Sequence, residues 1–465
     1  MNHSFSRRGF LTGTLATAAI ASLSACAGGV AGGGASTPAS SAVAGTADNP
    51  FGVAKGSTIE AVIFNGGYKT DYCDFAGQVL NKKVGATVDV KPSTQIATEL
   101  QPRFVGGNPP DVIDNSGAGS IGVSTIVDQL EDLTQLINTP NYEGKVIKDT
   151  LYNGILAPGT FSGKLVVLYY VMTVYANWYS ASLFEQNGWS APRTWDELYA
   201  LGGQAKQKGK YLLVFGKEAA HYYLTMMLGS AIKEGGDEVR LALENLQPDC
   251  YSKPAVQDVF NAMKRIIDAG YVKPGGSGTQ FTAAQAQWSS AEEAIIYPSG
   301  AWIENEMKSQ TKEGFRMTGF PDITISKNPK LGSSALHAEG SEAYIVPSKG
   351  KNVPGGKEFL RAMLSQEAAT NFTKTKLAPT CVKGTIPQDG FGSSALVSQS
   401  AMLDQAGNNV FGWRFITYYG LTKANLVVLN SFLEGKMSVA DLTRSLQDIV
   451  NKAANDPNVK KMPVS

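Results

Sequence analysis

The sequence predicts an α/β protein in two domains, and three observations carry that reading. Short β-rich runs alternate with helical stretches over residues 58–113. The first run ends in an Asn-Gly-Gly turn, and the second helical stretch stops at Gly-Gly-Asn-Pro-Pro. Roughly 400 residues follow residue 55, more than one hydrophobic core accommodates. Thr58-Ile59-Glu60-Ala61-Val62-Ile63-Phe64 reads as a strand closed by Asn65-Gly66-Gly67, and residues 74–83 as a helix. Thr87-Val88-Asp89-Val90-Lys91 alternates as a second strand. Residues 94–105 read as a second helix, stopped by Gly106-Gly107-Asn108-Pro109-Pro110, and Asp111-Val112-Ile113 as a buried third strand. This alternation implies a mostly parallel sheet flanked by helices, with a ligand site at the carboxyl ends of its strands. Those ends are residues 65–68 and 114–117.

The N-terminus reads as an export address. Ser6-Arg7-Arg8-Gly9-Phe10-Leu11 resembles a twin-arginine signal, and Leu23-Ser24-Ala25-Cys26 resembles a bacterial lipobox whose cysteine takes diacylglycerol. The apolar run between them is too short to span a bilayer. Residues 1–25 are therefore expected to be a signal peptide and Cys26 a lipidated first residue. Residues 26–55 are mostly Gly, Ala, Ser, Thr and Pro, a composition that cannot bury enough surface to order itself, so they are expected to form a flexible linker. No later stretch is long and apolar enough for a membrane helix.

Composition excludes several classes. Lys and Arg total 41 against 40 Asp and Glu, a formal net charge of +1, so no basic surface invites nucleic acid. Beyond Cys26 the cysteines are Cys73, Cys250 and Cys381, too widely spaced for a metal knuckle or a disulfide scaffold, although one disulfide among them stays open. His3, His221 and His337 are the only histidines, which argues against zinc. Gly117-Ala118-Gly119-Ser120-Ile121-Gly122 fits GxGxxG, but it follows the third strand rather than opening the first βαβ unit. It reads better as a turn or a ligand loop than as a nucleotide cradle, and no cofactor is expected.

A set of motifs in one order then points to a family. Leu100-Gln101-Pro102-Arg103-Phe104 precedes the Gly-Gly-Asn-Pro-Pro-Asp turn. Val174-Tyr175-Ala176-Asn177-Trp178-Tyr179, Leu183-Phe184-Glu185-Gln186-Asn187-Gly188-Trp189 and Pro192-Arg193-Thr194-Trp195-Asp196-Glu197-Leu198 follow. Ile296-Tyr297-Pro298-Ser299-Gly300-Ala301-Trp302, Lys357-Glu358-Phe359-Leu360 and Leu377-Ala378-Pro379-Thr380 complete the set. Together they resemble the sugar-binding proteins of ABC transporters, the maltose-binding-like class. Within that class the chain is similar to the N-acetylglucosamine- and diacetylchitobiose-binding lipoproteins.

The resemblance implies a two-lobe periplasmic-binding-protein-like fold with the sugar between the lobes. Residues 56–168 plus 338–384 would form the first lobe, and 169–337 plus 385–465 the second. It further implies a monomer that closes on a sugar, hands it to membrane permease subunits and does no chemistry. A neutral sugar needs flat aromatic faces for its C–H surfaces and polar partners for its hydroxyls. Trp302, after a buried-type strand and a glycine, is the leading stacking candidate, with a core or interlobe tryptophan as the alternative. Asn65 and Tyr68 in the first turn, and Asn115 after the third strand, offer polar groups, or turn chemistry alone. Tyr170 and Glu342 lie near the two lobe crossings. His221 and Tyr222 belong to a polar-aromatic knot, although a satisfied core histidine is the commoner fate. Trp413 and Tyr419 fit cleft stacking and core packing equally. Trp195, by contrast, starts a helix with Thr194 as N-cap and Glu197 completing a capping box. Two other functions remain open at this level: a surface-anchored glycosidase, which needs a facing carboxylate pair, and a sugar sensor uncoupled from transport.

Overall fold

The structure is a computed structural model that describes residues 44–117, 119–152 and 155–464. The signal, the lipobox with Cys26 and the first part of the linker lie outside the described residues, as does Ala118 of the glycine-rich loop. No described helix is long and apolar enough to cross a membrane.

Nine strands form one sheet. In chain order the strands are β1 (Thr58–Phe64), β2 (Thr87–Ser93), β3 (Val112–Asp114), β4 (Thr160–Phe161), β5 (Lys164–Leu165), β6 (Leu168–Ser180), β7 (Tyr211–Leu213), β8 (Ala294–Gly300), β9 (Met317–Phe320), β10 (Leu336–Ile345) and β11 (Val410–Phe411). Strands β4 and β5 pair only with each other. The main order is β2-β1-β3-β10-β6-β8-β7, with β11 beside β10 and β9 beside β6. β1 runs parallel to β2 and β3, and β8 parallel to β7. The expectation of mostly parallel sheets needs correction here, because β10 is antiparallel to β3 and β6, and β6 to β8 and β9. β6 is the reason. Its first half, Leu168 to Val174, pairs with β10, and its second half, Tyr175 to Ser180, pairs with β8 and β9. A single 13-residue strand thus passes from one half of the sheet to the other.

The helices follow from local sequence. Asp71–Val84 carries Asp71 and Asp74 in its first turn and Lys82 and Lys83 in its last, matching charge to the helix dipole. It turns Tyr72, Cys73, Ala76, Val79 and Leu80 onto the sheet. Ile96–Val105 ends at Gly106, and Pro102 within it lacks one ladder hydrogen bond. In the second half, Thr194 Oγ1 accepts from Glu197 N at 3.3 Å, while Glu197 Oε2 accepts from Arg193 N at 2.7 Å, one residue earlier than a capping box requires. Trp195 donates its indole N–H to Ser230 Oγ at 2.7 Å inside the core, a structural role.

Apolar side chains gather into cores on both sides of the crossing strand. One runs from β1 through β6 to Trp288 and Tyr297. A second fills the helices of the other half around Phe215, Phe260 and Phe432. A third, smaller one joins Val62, Ile113, Ile121, Phe161 and Tyr418. Fully burying one such side chain contributes about 1.5–3 kcal/mol. Cys73, Cys250 and Cys381 are buried and free, so none of them is bridged.

Candidate functional site

Three strands end at the same place, and each delivers a different kind of group. β1 ends at Phe64, and Asn65 N still bonds Ser93 O at 2.8 Å. The Asn-Gly-Gly turn that follows places Tyr68 in the first half's core, 2 % exposed and edge-on to Phe372 at 5.2 Å. The Tyr68 hydroxyl has no hydrogen-bond partner, and it faces Thr173, Glu342 and Glu306. Burial holds its phenol protonated, as a donor.

From β3 comes Asp114, fully buried, whose Oδ1 accepts from Ser116 Oγ at 2.5 Å while its Oδ2 is unpartnered. Ser116 Oγ also accepts from Ala343 N at 2.8 Å, locking the loop onto β10. Opposite stands Glu342, a non-glycine residue at φ 52° within β10. Such left-handed backbone costs on the order of 1–3 kcal/mol and clusters at functional sites. The Glu342 carboxyl lies against that of Asp114. Burial pushes Asp114 up to about 6, and burial plus the Asp114 charge push Glu342 well above its usual range.

β8 supplies the aromatic wall. The chain passes Gly300 and Ala301, and Trp302 starts the short helix Ile303–Met307. A Cβ on Gly300 would come within 2.1 Å of the Trp302 ring, so glycine lets the indole fold back over its own strand end. Trp302 is half-buried. Tyr175 meets it edge-on at 5.8 Å, and Tyr222 is tilted against it at 5.7 Å. Tyr222 in turn packs on Tyr297 and His221. Below them, Gln285 Nε2 donates to Glu306 Oε2 at 2.8 Å, and burial raises the Glu306 pKa. The strand ends therefore gather ring faces, phenol donors and carboxyls with a raised affinity for protons, the kinds of group an uncharged polyhydroxylated ligand requires.

Of the residues expected at the site, Tyr68, Tyr222, Trp302 and Glu342 converge here, and half-buried Asn65 lies at the same strand end. Asn115 does not present its amide to the cleft. Its Nδ2 and Oδ1 bond the backbone of Ile121 in both directions at 2.8 Å, closing the loop. Tyr170, 1 % exposed, is enclosed by Tyr72, Phe372 and Tyr344 in the first half's core. His221 bonds the carbonyl of Glu218 at 3.1 Å, and burial drives its pKa down to about 4, so it is neutral. Trp413 stacks on buried His337, and Tyr419 accepts from Met462 N at 3.2 Å. Gly117 of the glycine-rich loop, at φ 77°, lies against Phe64, where a Cβ would meet the ring at 2.3 Å. Tyr175, Tyr297, Thr173 and Glu306 were not expected at the site, and neither was Asn305 on the helix that follows Trp302. Among the described residues no group of three His, Cys, Asp or Glu side chains is placed to hold a metal.

Comparison with known proteins gives the family and the fold. The chain is 55% identical to the diacetylchitobiose binding protein NgcE of Streptomyces coelicolor, over 99% of both chains. Among solved structures, a chitin oligosaccharide binding protein matches with a TM-score of 0.69 at 18% identity, covering 86% of this chain and all of the other. Apo RafE from Streptococcus pneumoniae matches with a TM-score of 0.68, also at 18% identity, covering 86% and 99%. These two likenesses establish the two-lobe fold. The sequence model for bacterial extracellular solute-binding proteins matches residues 29–370. On that match and the full-length relative, the chain belongs to the bacterial extracellular solute-binding protein family, whose members bind rather than transform their solutes.

Proposed function

We propose that this protein is the sugar receptor of an ABC importer, tethered outside the membrane by lipid on Cys26. In this reading it captures N-acetylglucosamine and its disaccharide N,N'-diacetylchitobiose. The observation that carries the sugar is the 55% identity to a diacetylchitobiose binding protein along the whole chain. The cleft supports the class: Trp302 and Tyr222 offer faces, while Tyr68 and the Asp114–Glu342 pair offer polar partners on the opposite wall. Residues 56–168 with 338–384, and 169–337 with 385–465, are the proposed lobes, hinged on β6 and β10. Contacts made to both lobes at once exist only when the cleft is closed, so ligand shifts the equilibrium toward the closed form. Permease subunits then read the closed, loaded monomer.

Calorimetric titration tests the reading. Diacetylchitobiose or N-acetylglucosamine is expected to bind at least about 100-fold tighter than maltose, a difference of about 2.7 kcal/mol. Equal binding of maltose overturns the sugar assignment, and absence of heat with every sugar overturns the receptor assignment.

A further inference from the structure

We propose that Asn305 is the latch of the closed cleft, a positioning residue that ties the lobes together through the carbonyl of Gly67. The inference rests on the sugar-receptor reading above and adds a residue that does not itself stack on ligand. Asn305 Nδ2 donates to Gly67 O at 2.5 Å, across 238 residues of chain. The two groups belong to opposite halves of the sheet. Gly67 follows β1 and Asn305 follows β8, and the order β1-β3-β10-β6-β8 puts four inter-strand steps between them. At about 4.8 Å per step, a flat sheet would hold those strands about 19 Å apart. A direct hydrogen bond therefore requires the strand ends to fold toward one another over the cleft.

The surroundings favour a latch over a chance contact. Asn305 is 8 % exposed, so its amide is largely withdrawn from competing water. Lys308 Nζ donates to Asn305 Oδ1 at 3.2 Å, which fixes the amide's orientation with its NH2 toward Gly67. Gly67 itself abuts Trp302, where a Cβ would stand 3.3 Å from the tryptophan Cβ. The bond thus sits beside the proposed stacking ring, and it links that ring's helix to the turn carrying Tyr68. Since an open cleft breaks this bond, Asn305 stabilises the closed form alone, and by linkage it slows ligand escape.

The experiment is stopped-flow tryptophan fluorescence with diacetylchitobiose on wild type, Asn305→Ala and Asn305→Asp, paired with melting of the sugar-free proteins. Losing one buried neutral hydrogen bond is expected to raise the dissociation rate about five- to tenfold and leave association within about twofold. The aspartate variant keeps the shape and lacks the N–H donor, so it shows at least the same loss. Sugar-free melting temperatures stay at the wild-type value, because the open form lacks the bond. An unchanged dissociation rate in the variants, with wild type binding normally, overturns the latch alone. A lowered sugar-free melting temperature overturns it too, making Asn305 a packing residue. Wild type that binds no sugar refutes the receptor reading and the latch with it.

Discussion

The indole of Trp413 lies 3.9 Å from the imidazole of His337, with their planes 21° apart. Tyr175 also stacks on the same imidazole at 4.5 Å and 9°, and Phe411 at 5.6 Å and 19°. His337 has no exposed surface and neither ring nitrogen has a hydrogen-bond partner; Asp322 and Glu339 stand 3.8 and 3.7 Å away. These stacked rings join β6, β10, β11 and the segment after it. They therefore clamp the strands that cross between the lobes, and Trp413 belongs to this clamp.

Trp413→Ala is accordingly expected to destabilise the sugar-free protein by about 3–5 kcal/mol, the usual range for truncating a buried tryptophan. Folded variant should retain sugar affinity within about threefold, a change of about 0.65 kcal/mol. Urea denaturation and titration of the same sample check both halves. A stable variant with a large loss of affinity would return Trp413 to the sugar site.

That clamp shows where sequence reading stops. The strand from Thr58 to Phe64, the Thr194 cap and the turn at Gly106 were legible because hydrophobic period, capping and glycine act over a few residues. The position of Trp302 just beyond a strand was legible because a glycine at a strand end has local meaning. Asn305, Tyr175 and His337 carry no such signal: their partners lie far off in the chain and meet only once the sheet is assembled. Asn115 misled for the opposite reason. Its residue type suits a ligand and a loop closure equally, and here the loop takes both ends of the amide. The antiparallel course of β6 and β10 was also hidden, since strand direction is a property of the pairing rather than of the strand.

Trp302 should separate from Trp413 in the same assays. Its ring is half-buried and leans on Tyr222 and Tyr175, so Trp302→Ala is expected to cost about 1–3 kcal/mol of sugar affinity. That is roughly one to two decades in Kd, with little change in sugar-free melting. Gly300→Ala offers an independent check, because the added methyl would sit 2.1 Å from the indole and must swing it aside. Calorimetry should then show a comparable loss with Trp302 still present. Normal affinity in Gly300→Ala would mean that the ring position does not matter to the ligand.

Attachment is tested apart from binding. Cys26→Ser removes the thiol that the lipobox offers, so fractionation should find the protein in the medium or held as precursor, with sugar affinity unchanged. Membrane-bound variant of wild-type size would refute the lipid anchor.

The Asp114–Glu342 pair predicts a pH signature. Both carboxyls have raised pKa values in the fold, Asp114 to about 6 through burial and Glu342 well above its ordinary range through burial and the Asp114 charge. An unfolded chain ionises them near pH 4. The native state thus binds more protons than the unfolded state above that pH, and their contribution to stability, complete below about 4, is lost as pH rises to 6 and beyond. His221 acts with the opposite sign. Its depressed pKa of about 4 makes its contribution complete above about 6.5 and lost as pH falls toward 4. Glu342→Gln isolates Glu342, because His221 is the same in both proteins and cancels in the difference. The variant should match wild type near pH 4 and exceed it at pH 7, because glutamine has no proton to lose where the buried Glu342 carboxyl must ionise. Chemical denaturation at pH 4, 5.5 and 7 reads that gap directly. A gap that stays constant with pH would mean that Glu342 ionises normally in the fold, and its strained backbone would then need another explanation.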